Sequence, residues 1–509
     1  MTRGLACLVI LAAGCAARGP RVPLPTLADA DALASAGCYT CLSQALDVYD
    51  ALLARRASPP AIRGAFRAAV LLHLREKELG LPATQSLDRA RILAPLLPPE
   101  EHGELFLRVA GGIPPESSGL SKEDYDGWIK TERLGAPVRE ALRQQLAPLL
   151  ADPAAAYLQT SLSCAYADFR ERDAALDQLA SQHPSTLVVR YRIGACVQSR
   201  RALLVEVLGV EPRYVEAHFF LGRYALADAA VGKGRRSEIV PHLAAAYEAF
   251  PRSPSVTFTV AGMHRAFNKI KDALRYYDET LALVPTHREA MLGRTIMLSY
   301  LERPDEAFES ATRIIELEDW YLGDAYYWRA YNRHAQRRLD EARDEIERSK
   351  AVAGVRSDVF LLSGIIRYDR HEMGEAAADL EKSLQLNDQA CDASWYLGLV
   401  RSEQKRWTDA AGLFPSAAAC YRTNVDAYRT ALDTVRNTVA GTPDAVEVSA
   451  EYSGYIEREL VSEARSYYNA AYAAAQAGDR AQALAHASRA AEHAIMREKA
   501  ADLIAALKK

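Results

Sequence analysis

Lys271-Asp272-Ala273-Leu274, Asp305-Glu306-Ala307-Phe308, Asp340-Glu341-Ala342-Arg343, Gly374-Glu375-Ala376-Ala377 and Thr408-Asp409-Ala410-Ala411 repeat one short pattern. Each has a polar or acidic step, then an alanine, then the opening of an apolar helix. The five alanines lie 34, 35, 34 and 34 residues apart. A period near this length, built as helix, turn and helix, describes a chain whose units pack on their neighbours rather than around one centre. Other positions keep the same spacing. Ala261, Ala330, Gly364 and Gly398 lie twelve residues before their alanines, and Pro285, Asp319, Gly354 and Asp388 twelve after. A small residue lets the two helices of a hairpin approach closely, and a breaker ends the second helix.

These positions resemble the tetratricopeptide consensus, which has small residues at places eight and twenty and a helix breaker near thirty-two. The resemblance implies an all-α fold, a right-handed superhelical solenoid of antiparallel helix pairs. It also implies a protein that holds partners and is not an enzyme. It is strong over residues 253–424 and returns at Tyr467 to Ala491, where Ala471, Gly478-Asp479, Ala483 and Ala490 keep the offsets. Residues 151–252 read as irregular repeats of the same kind, with Gly232 to Ser237 as a loop insertion. Residues 38–150 are helical but off-period and read as a degenerate N-terminal subdomain. Gly111 to Gly119 is a loop by composition, and Ser121 to Asp124 a helix start. Residues 425–509 hold C-terminal helices with one repeat and an amphipathic terminal cap.

The chain has 509 residues, is 49% hydrophobic and 25% charged, and carries a net charge of -4. That is ordinary globular composition without the basic excess expected of a nucleic-acid binder. Met1-Thr2-Arg3 is followed by an apolar run from Leu5 to Gly14. This pattern reads as an export signal, too short to span a bilayer as a permanent helix. Leu11-Ala12-Ala13-Gly14-Cys15 resembles a bacterial lipobox, with Ala12 where the pattern has leucine. The resemblance implies cleavage before Cys15 and lipid on its sulfur; an ordinary signal peptide cut near Ala17 is the alternative. Ala16, in place of aspartate, implies the outer membrane, with the protein facing the periplasm. Residues 1–15 are thus the signal with the lipidated cysteine at its end. Residues 16–37, with Pro20, Pro23 and Pro25, read as a flexible tether.

Six further cysteines sit in an exported and oxidising setting. Cys38 and Cys41 form a CxxC pair, for which a structural disulfide fits better than a redox or zinc site. Cys164 and Cys196 lie about one repeat apart. Cys391 opens a first helix, and Cys420 lies near the end of the second, so antiparallel packing brings them side by side.

In a solenoid of this family the first helix of each repeat lines the concave face. Place five then gives Phe258, Leu292, Tyr327, Leu361 and Trp395, and place nine includes Ile296, Tyr331 and Ile365. Place two gives Glu289, Asp324, Asp358 and Asp392. Together they predict an apolar and aromatic groove with an acidic rim, suited to an amphipathic helix or extended peptide. Core packing is the alternative for the aromatics. The helix dipole is the alternative for the acids, which all fall in a first turn. The densest aromatic run is Asp319 to Tyr331.

The sequence has no nucleophile elbow, no phosphate-binding glycine loop and no His-Glu-x-x-His. His371-Glu372-x-x-Glu375 sits at a turn, and His486 and His493 share one face without a third ligand. No cofactor and no metal is expected. The expected role is a scaffold in the bacterial cell envelope that binds another envelope protein or peptide. A lipidated protein that captures a glycan or other solute, or an accessory of an envelope transport or assembly machine, is the alternative.

Overall fold

The computed structural model describes residues 25–81, 85–114, 134–166, 169–230, 236–317, 321–439 and 444–508. Helices α1 (Leu27–Ala36), α2 (Tyr39–Arg55), α3 (Pro59–Leu79), α4 (Ser86–Leu93), α5 (Gly103–Gly112) and α6 (Ala136–Leu146) come first. Then follow α7 (Pro153–Tyr166), α8 (Phe169–Gln182), α9 (Leu187–Cys196), α10 (Ala202–Val210), α11 (Val215–Ala230) and α12 (Arg236–Ala249). The regular pairs are α13 (Pro254–Ala266) with α14 (Ile270–Leu283), α15 (Arg288–Tyr300) with α16 (Pro304–Glu316), and α17 (Leu322–Ala335) with α18 (Leu339–Val352). They continue as α19 (Ser357–Asp369) with α20 (Met373–Leu386), and α21 (Cys391–Glu403) with α22 (Trp407–Val439). The chain ends with α23 (Asp444–Gln476), α24 (Arg480–Ala490) and α25 (Arg497–Lys508). Among the described residues there is no strand, and no helix is long and apolar enough to cross a membrane.

The period has a backbone cause that the alanines only mark. Asn268, Glu302, Arg337, His371 and Lys405 each adopt a left-handed conformation, with φ between 56° and 61°. Each stands five residues before its repeat alanine, and Gly478 holds the same place before Ala483 with φ 86°. In every case the next N–H reaches back five residues, as Arg406 N–H does to Arg401 O at 2.8 Å and Asp479 N–H to Ala474 O at 2.9 Å. This Schellman closure satisfies the last carbonyls of the first helix and turns the chain into the second. Burial then locks the pairs. Ala273, Ala307, Ala342, Ala376 and Ala410 are all fully buried. Gly364 and Gly398 let α20 and α22 press on their partners: a Cβ at these sites would lie 2.5 Å from Leu380 Cγ and 2.7 Å from Phe414 Cε1.

The N-terminal half is built differently. One continuous apolar core runs from Ala30 to Val256, across the boundary expected at residue 150. Within it Arg75 of α3 is fully buried, its guanidinium 3.5 Å from the centre of the Tyr191 ring. It donates to Tyr157 Oη at 3.0 Å and to Gly37 O at 3.3 Å, and lies 3.3 Å from Glu78 and 3.7 Å from Glu216. Glu216 accepts the Tyr39 N–H at 2.8 Å. One cation thus ties α1, α3, α7, α9 and α11 together, and a lone buried charge would be costly without these partners.

Three expectations change. The tether does not extend to residue 37, because Leu27–Ala36 is a helix. Thr26 and Asp29 form its capping box, and Ala30 is buried in the core. Residue 424 is not a helix end, since α22 runs on to Val439 and pairs with the equally long α23. Gly111 and Gly112 end α5 rather than open a loop. Cys15 with its signal, the helix start at Ser121 to Asp124, the loop from 115 to 119, most of the 232–237 insertion, and Asp319 and Trp320 lie outside the described residues.

Candidate functional site: a cleft against the long C-terminal helix

Helices α13, α15, α17, α19 and α21 carry the sequence-predicted groove residues, but much of that set is packing. Phe258 is half-buried, its ring 6.0 Å from Tyr277 and 5.0 Å from His287. Leu292 packs beside Met291, Ala311 and Ile314. Tyr327 and Tyr331 lean on the cluster of Ala330, Ala342, Ile346 and Val359, with Trp328 edge-on to both at 5.4 and 5.3 Å. Burial first, then the Asp358 charge, pushes the Tyr327 hydroxyl up to about 12. Trp395 sits between the Phe414, Ala470 and Ala473 cluster and the Cys391 and Tyr421 cluster. Leu361 lines open space beside α21.

The acids do not make a bare stripe. Arg356, just before α19, spans two repeats: its Nη1 donates to Asp324 at 2.7 Å and its Nη2 to Asp358 at 2.6 Å. The hydrogen bonds to Asp358 and Asp324 hold this guanidinium above its ordinary value. Glu289 lies 3.4 Å from His287 Nδ1, and Asp392 accepts the Tyr421 hydroxyl. The expected acidic rim is therefore a partnered rim: Asp324 is bonded from the following repeat, and Glu289, Asp358 and Asp392 have partners within their own.

What the sequence did not indicate is the role of α23. Its middle faces α19, α21 and α22 across a cleft of about 780 Å³. Arg356, Asp358, Asp392, Arg458 and Glu459 give that cleft both signs of charge, Asn424 adds an amide, and Leu361 and Cys391 give it apolar floor. Asn424 Nδ2 donates to Glu459 at 3.0 Å, fixing one wall to the other. Arg458 is exposed, with its guanidinium 5.0 Å from the Tyr455 ring. Disulfides join Cys391 to Cys420 at the edge of this cleft, Cys164 to Cys196 between α7 and α9, and Cys38 to Cys41 at the start of α2. α22 and α23, at 33 residues each, are longer than any other helix of the regular pairs.

Helix pairs of one period, joined by one left-handed turn and facing one side with their first helices, decide the fold. The fold is a solenoid of helix pairs of the tetratricopeptide type. No family model and no curated protein matches the chain. Among solved structures it is similar to the Cut9–Hcn1 hetero-tetramer of the APC/C, at 14% identity and TM-score 0.39, covering 92% of this chain and 93% of that one. It is also similar to YrrB, described as a tetratricopeptide protein with an unusual peptide-binding site, at 16% identity and TM-score 0.25, covering 51% and 97%. MamA matches at 20% identity and TM-score 0.29, covering 33% and 97%.

The remaining candidates for chemistry do not assemble. His371 is the left-handed turn residue of its repeat, so it cannot share a helical face with Glu375. His486 stacks on Tyr467 at 5.9 Å, whereas His493 lies beyond the end of α24 and 3.2 Å from Glu457. They do not share one helix face. Among the described residues no group of three or more His, Cys, Asp or Glu could hold a metal ion.

Proposed function

We propose that this chain is a non-enzymatic scaffold of a bacterial cell envelope, exported and anchored by lipid on Cys15. In this reading it sits at the outer membrane, faces the periplasm and binds a segment of another envelope protein in the cleft between α19, α21 and α23. The observation that supports binding is the cleft itself. It is concave, about 780 Å³, and walled by paired charges and amides rather than by a buried reactive group. Such a wall offers donors and acceptors to a peptide backbone and leaves apolar floor for alternate side chains. Acyl chains contribute about 0.8 kcal/mol per buried methylene, so a multiply acylated Cys15 would hold the body at the membrane without a spanning helix.

Photo-crosslinking from position 361 tests the binding reading. A benzophenone side chain there is expected to capture one discrete protein from intact envelopes. Capture that is spread over many proteins, or equal to that from an exposed position away from the cleft such as Glu347, would contradict it. Release of labelled palmitate from the protein by hydroxide, lost in Cys15→Ser, tests the anchor.

A further inference from the structure

His218 of α11 and His242 of α12 lie 24 residues apart in the chain and meet ring to ring. Their Nδ1 atoms are 2.7 Å apart and their ring centroids 4.9 Å. The approach follows from how this hairpin packs. Gly222, one turn after His218, leaves room for Leu243, and a Cβ there would lie 2.6 Å from Leu243 Cδ2. Ile239, Leu243 and Ala246 turn into the core, so His242 stands at the edge of that buried face, half-buried like His218. Among the described residues neither ring makes another hydrogen bond, so no carboxylate or carbonyl occupies these nitrogens. Glu238, one turn before His242 on α12, brings a negative charge that acts on His242.

At 2.7 Å two neutral rings share one proton, one Nδ1 donating and the other accepting. Moving that proton to Nε2 of its own ring is a tautomer change with no net proton lost, and it leaves two lone pairs aimed at one point. Zinc–imidazole bonds are about 2.0–2.1 Å long, and bonds of this length set the two nitrogens roughly 2.9–3.4 Å apart for angles from square to tetrahedral. The rings therefore need to open by only about 0.2 Å to reach the square end of that range. We propose that His218 and His242 form an open, two-imidazole site for a divalent transition-metal ion, Cu²⁺ ahead of Zn²⁺. The short spacing suits the square geometry of Cu²⁺, which is also the ion that nitrogen sites bind most tightly in the first-row series. Water fills the remaining positions, since no third His, Cys, Asp or Glu of the described residues completes the group. Bound there, the ion ties α11 to α12 and stabilises this hairpin by mass action.

Calorimetric titration of the full chain, carrying no histidine tag, with Cu²⁺, Zn²⁺ and Mg²⁺ in turn tests the site. The tightest equivalent of Cu²⁺ is expected at this pair, with Zn²⁺ weaker and Mg²⁺ not bound. His218→Gln and His242→Gln should each weaken Cu²⁺ binding at least about tenfold, whereas His486→Gln should leave it unchanged. No binding by the parent, or binding unchanged in both the His218 and His242 variants, would overturn the site and leave the pair as a hydrogen bond only. Either substitution also removes that hydrogen bond, so the parent supplies a second readout. Electron paramagnetic resonance of its Cu²⁺ form should show two coordinated imidazole nitrogens, and saturating Cu²⁺ should slow hydrogen exchange in α11 and α12 but not in α24. A spectrum with fewer than two nitrogens, or exchange in α11 and α12 that Cu²⁺ leaves unchanged, would overturn the proposal.

Discussion

Replacing Lys405 with glycine isolates the turn that makes each repeat. Lys405 stands at φ 58°, is exposed, and is followed by the Arg406 N–H bond to Arg401 O at 2.8 Å. An L-residue with a Cβ costs roughly 1–2 kcal/mol in this conformation. Glycine relieves that cost but gives back about 0.5–1 kcal/mol through its freer unfolded chain. Lys405→Gly is therefore expected to stabilise the array by about 0.5–1 kcal/mol. Gly478, at the same place with φ 86°, provides the reverse test, because a Cβ there would have no neighbouring atom within 4 Å. Gly478→Ala meets no clash, so only backbone strain acts, and a loss of about 1 kcal/mol is expected. Urea unfolding followed by circular dichroism measures both. Because repeat stabilities add with their interface terms, the shift should appear in the transition of the array and not in the N-terminal core. A neutral result for both variants would refute the claim that the left-handed turn sets the period.

Other outcomes follow from burial. Glu216 is buried, and burial pushes its carboxyl from 4.5 up to about 7 against the pull of Arg75. An acid held protonated in the fold loses stability as pH rises from its unfolded value through its folded one. Unfolding free energy should therefore fall between about pH 4.5 and 7, by on the order of 3 kcal/mol, and Glu216→Gln should flatten that slope; a slope unchanged in the variant would count against it. Gly364→Ala forces a methyl 2.5 Å from Leu380 Cγ and should cost about 1–3 kcal/mol in urea unfolding, whereas Gly374→Ala, with nothing within 4 Å, should be neutral or gain up to about 1 kcal/mol. Tyr327→Ala should cost about 3 kcal/mol because the ring is mostly core, and Tyr327→Phe should recover most of that in thermal unfolding.

The repeats were legible because a buried alanine at a fixed place is a one-residue signal that survives divergence. Ala273, Ala307, Ala342, Ala376 and Ala410 leave no room for a larger side chain, and their spacing reports the superhelix directly. The left-handed turn was not legible because Asn268, Glu302, Arg337, His371 and Lys405 share a backbone angle and no chemistry. The groove was only half legible. Place five does line up Phe258, Leu292, Tyr327, Leu361 and Trp395 on first helices, yet spacing cannot say that Trp395 packs beneath α23. It also cannot say that Arg356 bridges Asp324 and Asp358, since its bond to Asp324 joins residues 32 apart. Least legible was the buried Arg75. A charged residue inside an apolar helix reads as an interruption until Tyr157, Tyr191 and Glu216 arrive from three other helices.

Affinity purification from detergent-solubilised envelopes tests the central claim most directly, with the parent compared against two cleft variants that leave the core untouched. Ser462→Trp fills the cleft, and Arg458→Glu reverses its exposed charge. The account predicts one protein retained by the parent and lost, at least about tenfold, from both variants while circular dichroism is unchanged. Equal retention by parent and variants would contradict it, because the partner would then be held by a surface other than this cleft.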